Sequence, residues 1–312
     1  MRVVVTGGAG FIGSNLCRAL AGCDEIDSVV AFDDLSTGDS ANVEDVCELV
    51  RGTILDVDAL DRCVIGADAI VHLAARPSVP RSLADPVASH VANASGTVNV
   101  LESARRAGNL HVLVASSSSV YGATPTLPKH EGLATRPISP YAASKLAAEA
   151  YALAWQHSFE LPTLVFRLFN VFGPLQSAGH AYAAVVPTFI DAALAGRALP
   201  VQGDGSQSRD FTYVDTVCRI LTDALLRRIS DPEPVNLAFG TRTSLLGLIE
   251  TLREVLGADL AVEHSAPRPG DVLHSQADGA RLRGLFPSIE PVSLRDGLEA
   301  TVRWFRSQTR VA

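Results

Sequence analysis

The stretch Arg2-Val3-Val4-Val5-Thr6-Gly7-Gly8-Ala9-Gly10-Phe11-Ile12-Gly13 decides how this chain folds. A β-branched run reads as a strand, glycines at 7, 10 and 13 make a tight turn, and Ile12, Leu16 and Leu20 then fall on one helical face. Strand, glycine turn and helix together build a cradle in which backbone N–H groups approach a pyrophosphate closely and the helix N-terminus adds partial positive charge. Glycine triplets alone are weak signals, because flexible loops also collect glycine. Here the flanking elements agree with the turn, so Gly7, Gly10, Phe11, Ile12 and Gly13 are expected to line a dinucleotide.

Further strands are expected at 28–32, 48–53, 69–71, 112–115 and 163–166, alternating with helical patterns, which predicts a parallel, doubly wound sheet. Val91, Ala94, Val98 and Leu101 place a helix over about 86–106. Past Pro174 the alternation stops and glycine and proline mark irregular connections, so a second lobe is expected. Its last helix is announced by Ser293 with Asp296 three residues on, then by the stripe Leu294, Leu298, Val302 and Phe305. The second strand ends at Phe32-Asp33-Asp34. A carboxylate about 20 residues past the glycine turn accepts from ribose hydroxyls and repels a 2′-phosphate, which favours NAD over NADP. Asp56 fits either of two roles, the adenine edge or the N-cap of a helix beginning near Val57.

With 312 residues, 47% hydrophobic and 19% charged, the chain suits one α/β unit with a smaller lobe. A net charge of −8 without a Lys/Arg cluster argues against nucleic acid or an anionic membrane as partner, and no apolar run is long enough for a span. The five cysteines have no C-x-x-C spacing and the histidines no metal-ligand spacing, so buried reduced thiols, no metal and a cytoplasmic location are expected. His72 is read as a structural strand-end residue.

Chemistry enters at Tyr141-Ala142-Ala143-Ser144-Lys145, where phenol and ammonium share one helical face. By itself this spacing also describes an ordinary solvated helix. An adjacent ammonium and a positive nicotinamide would both favour the phenolate, making acid/base work near neutral pH feasible. Upstream, Ser116-Ser117-Ser118-Ser119-Val120-Tyr121-Gly122 delivers hydroxyls at the C-terminal end of a parallel strand, where such sheets bind ligands.

With these motifs, His72-Leu73-Ala74-Ala75, Arg167-Leu168-Phe169-Asn170-Val171-Phe172-Gly173-Pro174, Arg209-Asp210-Phe211-Thr212-Tyr213-Val214-Asp215 and Arg268-Pro269-Gly270-Asp271, the chain resembles the extended short-chain dehydrogenases/reductases of the UDP-glucose 4-epimerase-like group over essentially its whole length. The resemblance implies a Rossmann-type doubly wound sheet with a smaller α/β C-terminal lobe. Residues 1–170 with about 211–240 would bind NAD, and about 171–210 with 241–312 would bind the UDP-sugar. It makes Tyr141 the acid/base, Lys145 its electrostatic partner and ribose ligand, and Ser117 the hydroxyl that shares the O4 proton. Asp33, Asp34, Asp56, Val57, Leu73, Ala74, Ala75 and Asn93 would line NAD beside Tyr141 and Lys145. Ser117, Ser118, Asn170, Val186, Arg209, Arg268, Asp271 and Ser275 would meet the substrate, with the two arginines on the diphosphate.

The implied reaction is transient oxidation at C4, rotation of the 4-keto sugar and re-reduction, on tightly bound NAD that is regenerated each turnover. Related 4,6-dehydratases carry Asp-Glu where this chain has Ser118 and Ser119, and UDP-glucuronate decarboxylases tend to carry glutamate at Ser119, so both reactions are disfavoured. A small residue at Ser275 leaves room for an N-acetyl group, and 181–187 and 78–82 also look like the N-acetylhexosamine-tolerant group. Use of UDP-glucose/UDP-galactose and of UDP-GlcNAc/UDP-GalNAc is therefore expected. Pro77 and Leu168 depart from the plain-hexose pattern of lysine and an aromatic. UDP-glucuronate 4-epimerisation, 4-keto-sugar reduction and NAD sensing without catalysis are the alternatives. The group usually dimerises through two helices, here about 86–106 and 141–157.

Overall fold

The structure is a computed structural model that describes residues 1–179, 183–266 and 273–309. The chain opens with β1 (Arg2–Thr6), α1 (Phe11–Ala21), β2 (Ser28–Asp33), β3 (Glu48–Arg51), α2 (Val57–Val64) and β4 (Ala69–His72). Next come α3 (Val79–Ala84), α4 (Pro86–His90), α5 (Gly96–Arg106), β5 (His111–Ser117), α6 (Pro140–Phe159) and β6 (Thr163–Leu168). The order continues with β7 (Val171–Phe172), α7 (Val185–Leu194), β8 (Leu199–Gln202), β9 (Ser208–Arg209), β10 (Thr212–Tyr213), α8 (Val214–Leu226) and β11 (Val235–Leu237). It closes with β12 (Thr243–Ser244), α9 (Leu245–Leu256), β13 (Val262–Ser265), α10 (Ala280–Leu285) and α11 (Leu294–Thr309).

Seven strands form one sheet in the order β11-β6-β5-β4-β1-β2-β3, and the registered pairs from β3 to β6 are all parallel. The order turns around between β1 and β4, the crevice where such sheets bind ligands beyond their strand ends. Because both faces of these strands are covered, they read as runs of apolar residues rather than as alternation: Val3, Val4, Val5, Ile70 and Val71 are all fully buried. One expected helix is interrupted. The segment 86–106 is helical throughout, but Val91–Ser95 winds as a π turn between α4 and α5. Such a turn re-aims the side chains it carries, Asn93 among them.

Two compact units divide the chain. The first contains Met1–Thr124, Glu131–Leu168 and Cys218–Asn236; the second contains Pro125–His130, Phe169–Val217 and Leu237–Ala312. Two segments fall elsewhere than their place in the sequence suggests. Pro125–His130 joins the second unit because the Lys129 N–H donates to the Gln276 carbonyl (2.7 Å) and its carbonyl accepts from Asp278 N–H (2.8 Å). Thr212 and Tyr213 pair with Val171 and Phe172 there, which draws 211–217 into the same unit. The second unit has its own core of Phe172, Phe189, Ile190, Leu199, Leu248, Leu252, Leu298 and Val302. In α11, Ser293 Oγ accepts from Asp296 N–H (3.1 Å) and donates to its carboxylate (2.6 Å), the cap expected from the sequence. Among the described residues no helix is long and apolar enough to cross a membrane.

Candidate active site

The glycine turn follows from its contacts. Gly7 has φ +72°, and a Cβ there would lie 2.6 Å from the Ala74 nitrogen. A Cβ on Gly13 would lie 2.1 Å from the Gly7 carbonyl oxygen, so α1 can approach β1 only with glycine at that position. Gly10 caps α1 without a side-chain hydrogen bond, and the first turn carries no acidic residue, so nothing in the helix itself neutralises its positive end. Asp33 ends β2 with one carboxylate oxygen on the Ala9 N–H (3.0 Å) and the other on the Leu35 N–H (2.8 Å). Burial nevertheless pushes its carboxyl above the usual range. A turn with no room for side chains, an open helix N-terminus and a fixed carboxylate fit a dinucleotide's pyrophosphate and ribose.

The remaining cofactor candidates divide. Leu73, Ala74 and Ala75 are half-buried beyond β4, with Leu73 N–H on the Thr6 carbonyl (3.0 Å). Asp34 is exposed, its carboxylate accepting from Ser36 N–H (2.9 Å). Asp56 is the N-cap of α2, accepting from Ala59 N–H (3.0 Å), and Val57 opens that helix on the surface. Asn93, expected to line the cofactor, makes its hydrogen bonds to protein groups. It is 1% exposed, and its amide accepts from Arg76 N–H (2.7 Å) and donates to Ser144 Oγ (2.9 Å) and the Arg76 carbonyl (3.3 Å). The side chain braces the loop after β4 against α6. His72 is a strand-end residue as expected, with Nδ1 2.7 Å from Thr6 Oγ1 and Nε2 2.9 Å from Thr97 Oγ1. Burial, helped by the Lys145 charge, holds it neutral with a pKa pushed down to about 3.

Ser117 ends β5, and Ser139 caps α6 by accepting from Ala142 N–H (3.1 Å), which sets Tyr141 in the helix's first turn. The Ser117 hydroxyl stands near enough to the Tyr141 phenol to lower its pKa. Ser119 Oγ lies 2.9 Å from Ser117 Oγ, and Ser118 stands between them in the turn after β5. Lys145 is buried, and desolvation pushes its pKa down to about 8. The electrostatics differ from the expectation that the ammonium acidifies the phenol. Burial raises the Tyr141 pKa above its ordinary value, and the Ser117 hydroxyl opposes that rise. A cationic group bound beside the phenol would act in the same direction as Ser117, towards the phenolate.

In the second unit, Asn170 adopts φ +35° and donates to the Asp210 carbonyl (3.0 Å). Arg209 in β9 donates to the Ser208 (3.0 Å) and Leu273 (3.2 Å) carbonyls, and Ser275 N–H donates to the Ser208 carbonyl (3.0 Å), so these segments are stitched together. Val186, expected to meet the substrate, packs in a core. It is 2% exposed within the second unit's core, because it falls on the inner face of α7 beside Phe189 and Ile190. Arg268 and Asp271 lie outside the described residues, as do Ala181 and Tyr182 of the segment 181–187.

A family model described as "NAD dependent epimerase/dehydratase family" matches residues 3–238. The chain belongs to this family. A UDP-glucose 4-epimerase of Mycolicibacterium smegmatis is 37% identical over 320 residues, covering 99% of this chain and 100% of that protein. A UDP-N-acetylglucosamine 4-epimerase from Methanobrevibacter ruminantium, solved with UDP-N-acetylmuramic acid, matches with TM-score 0.92 and 36% identity, covering 98% of each chain. A UDP-glucuronic acid 4-epimerase from Bacillus cereus, solved with UDP-glucuronic acid and NAD, matches with TM-score 0.90 and 30% identity over 99% of this chain and 100% of that one.

The sequence reading passed over a buried network within this family member's first unit. Glu149, two helical turns past Tyr141 on α6, accepts from Ser116 Oγ (2.8 Å) and from Arg167 Nε (3.0 Å) and Nη2. Arg167 Nη1 also donates to Tyr121 Oη (2.8 Å), which donates to Asn236 Oδ1 (2.7 Å). Glu149 and Arg167 are 3% and 4% exposed. The network ties α6 to β5 beside Ser117 and to β6. Its one sequence signal is a glutamate one turn after Lys145 on a buried α6 face whose other residues, Ala142, Ala148 and Ala152, are small.

Proposed function

We propose that this chain is an NAD-dependent UDP-hexose 4-epimerase, acting on UDP-glucose/UDP-galactose and on the UDP-GlcNAc/UDP-GalNAc pair. The observation that carries the reading is the hydroxyl set Ser117, Ser118 and Ser119 at the end of β5, with Ser117 close enough to Tyr141 to lower its pKa. Elimination of water across C5 and C6 needs a carboxylic acid and base at this place, and the chain offers hydroxyls. Proton exchange at one hydroxyl remains, which suits reversible oxidation at C4.

NAD, when bound, supplies the acceptor for the C4 hydride and then its donor. Gly7, Gly10, Phe11, Ile12 and Gly13 hold its pyrophosphate, Asp33 its adenosine ribose, and Lys145 the nicotinamide ribose. Tyr141 takes the O4 proton and returns it to O4 after the 4-keto sugar has turned its opposite face for the hydride. Asn170, Arg209 and Arg268 hold the UDP, in the unit around 171–210 and 241–312, while Ser275 leaves space at C2. The relatives support the hexose and N-acetylhexosamine substrates by what their names say they act on. UDP-glucuronate is the second reading, supported by the Bacillus cereus relative. The five cysteines are free, which suits a cytoplasmic enzyme. Self-association through 86–106 and 141–157 is proposed, since Val87 (70%) and Tyr151 (42%) are exposed there, and sedimentation analysis tests it.

The deciding experiment incubates the purified protein, without added cofactor, separately with UDP-glucose, UDP-GlcNAc and UDP-glucuronate, and identifies products by proton NMR. A 4-epimer of the first two is expected; no 4-epimer from any of the three sinks the assignment. Ser275→Tyr is expected to abolish turnover of UDP-GlcNAc while sparing UDP-glucose. Unchanged turnover of both would remove Ser275 from the sugar pocket.

A further inference from the structure

Ser117 has more neighbours than a hydroxyl can serve in an arbitrary sense. Its oxygen accepts from the Ser119 backbone N–H (3.2 Å) and lies 2.9 Å from the Ser119 hydroxyl, and it stands near enough to Tyr141 to lower that phenol's pKa. A hydroxyl carries one proton and two lone pairs. The backbone N–H can only donate, so one lone pair is permanently taken. One proton and one lone pair are left for two neighbours, and they must be used in opposite senses. When Tyr141 is a phenolate it can only accept. Ser117 must then donate to Tyr141, and the Ser119 hydroxyl must donate to Ser117.

We propose that Ser119 is a positioning residue that sets the direction of a three-hydroxyl chain, Ser119 to Ser117 to Tyr141, and so stabilises deprotonated Tyr141 without touching it. The proposal rests on the epimerase reading for its consequence in turnover. With both lone pairs of Ser117 filled by Ser119, that oxygen has none left for a substrate hydroxyl. The O4 proton then goes to Tyr141 directly, and Ser117 acts as a donor rather than as a sharer of that proton. Serine at position 119 thus does more than mark the lack of a carboxylate.

The geometry also supplies a clean variant. The Ser119 N–H that the Ser117 hydroxyl caps at the start of the turn Ser118–Tyr121 survives in alanine, so Ser119→Ala removes the hydroxyl and keeps the backbone bond. Tyr141 ionisation is followed in the NAD-loaded protein by tyrosinate ultraviolet difference absorbance, each protein being compared with its own Tyr141→Phe counterpart. Losing one hydrogen bond in the chain is expected to move the Tyr141 midpoint upward by about 0.5–1 pH unit. On the acid side of that midpoint kcat falls about three- to tenfold, while KM for the nucleotide sugar stays within about twofold. Ser119→Thr, which keeps the hydroxyl, restores both. Coincident titrations of parent and Ser119→Ala overturn the proposal, and so does a shift that threonine fails to reverse. If the parent epimerises no nucleotide sugar, the functional reading fails on its own, and the absorbance titration still decides the hydroxyl chain.

Discussion

Lys145 and Glu149 stand one turn apart on α6, the spacing at which a helix forms ion pairs, yet no ion pair joins them among the described residues. Glu149 turns to Arg167 and Ser116 and is fully occupied. Lys145 is buried nearly as deeply, and desolvation acts on it without a carboxylate to offset it. The same helix therefore holds one charge that the fold satisfies and one that has no carboxylate partner among the described residues. Satisfied groups fix geometry; unsatisfied ones are where binding can change the chemistry.

The comparison breaks most visibly at Tyr141, the ionisable neighbour of the unsatisfied end. Tyr141→Phe keeps the ring and its packing but removes the proton carrier, and kcat should fall about 10²–10⁴-fold with the denaturation midpoint close to the parent's. Activity within about tenfold of the parent would move the acid/base role to another group. At the satisfied end the effect should be on stability. Glu149→Gln leaves the Arg167 guanidinium buried without its charge partner and should cost about 3–5 kcal/mol in urea denaturation. The apolar double replacement Glu149→Leu with Arg167→Met should recover most of that loss. A single variant within about 1 kcal/mol of the parent would show that the clamp is dispensable.

Lys145 should respond with the opposite sign. Its pKa is about 8 in the fold against 10.5 ordinarily, because burial disfavours the ammonium. Between those values the unfolded chain binds a proton that the folded protein does not, so stability rises with pH across that window and the penalty is complete below about pH 8. Lys145→Met removes the group from the balance. The ligand-free variant should be more stable than the parent at neutral pH by on the order of 3 kcal/mol, with the gap closing towards about pH 10.5 and activity greatly reduced. A variant less stable than the parent at neutral pH would mean that Lys145 has a partner in the fold.

What could be read from the sequence was local. The strand, glycine turn and helix of residues 2–21 are contiguous, as are Tyr141 and Lys145, and each rests on spacing within one element. The clamp was not readable, because Glu149 and Arg167 are neutral to periodicity and meet only when β6 returns beside β5. The bracing by Asn93 was unreadable for a related reason: the π turn that carries it aims its amide at Arg76 and Ser144. Val186 packs with Phe189 and Ile190, which stand at helical spacing from it. Asp210, fully buried and accepting from Gly240, Thr241 and Ala277, organises the second unit through contacts 30 to 67 residues distant that no local pattern announces.

The smallest expected effect concerns Asp56, where two roles remained open from the sequence. One carboxylate oxygen holds the Ala59 N–H as the cap of α2, and the carboxylate has no further partner among the described residues. A residue with two oxygens can cap a helix with one and meet adenine with the other; serine can only cap. Asp56→Ser should therefore keep stability within about 0.5 kcal/mol of the parent, where Asp56→Ala loses about 1 kcal/mol. If the second oxygen serves the cofactor, both variants should bind NAD about three- to tenfold more weakly, as calorimetric titration of the NAD-depleted protein would measure. Equal affinity in Asp56→Ser and the parent would leave Asp56 a cap alone, and the cofactor's adenine would then be held by backbone and apolar contacts.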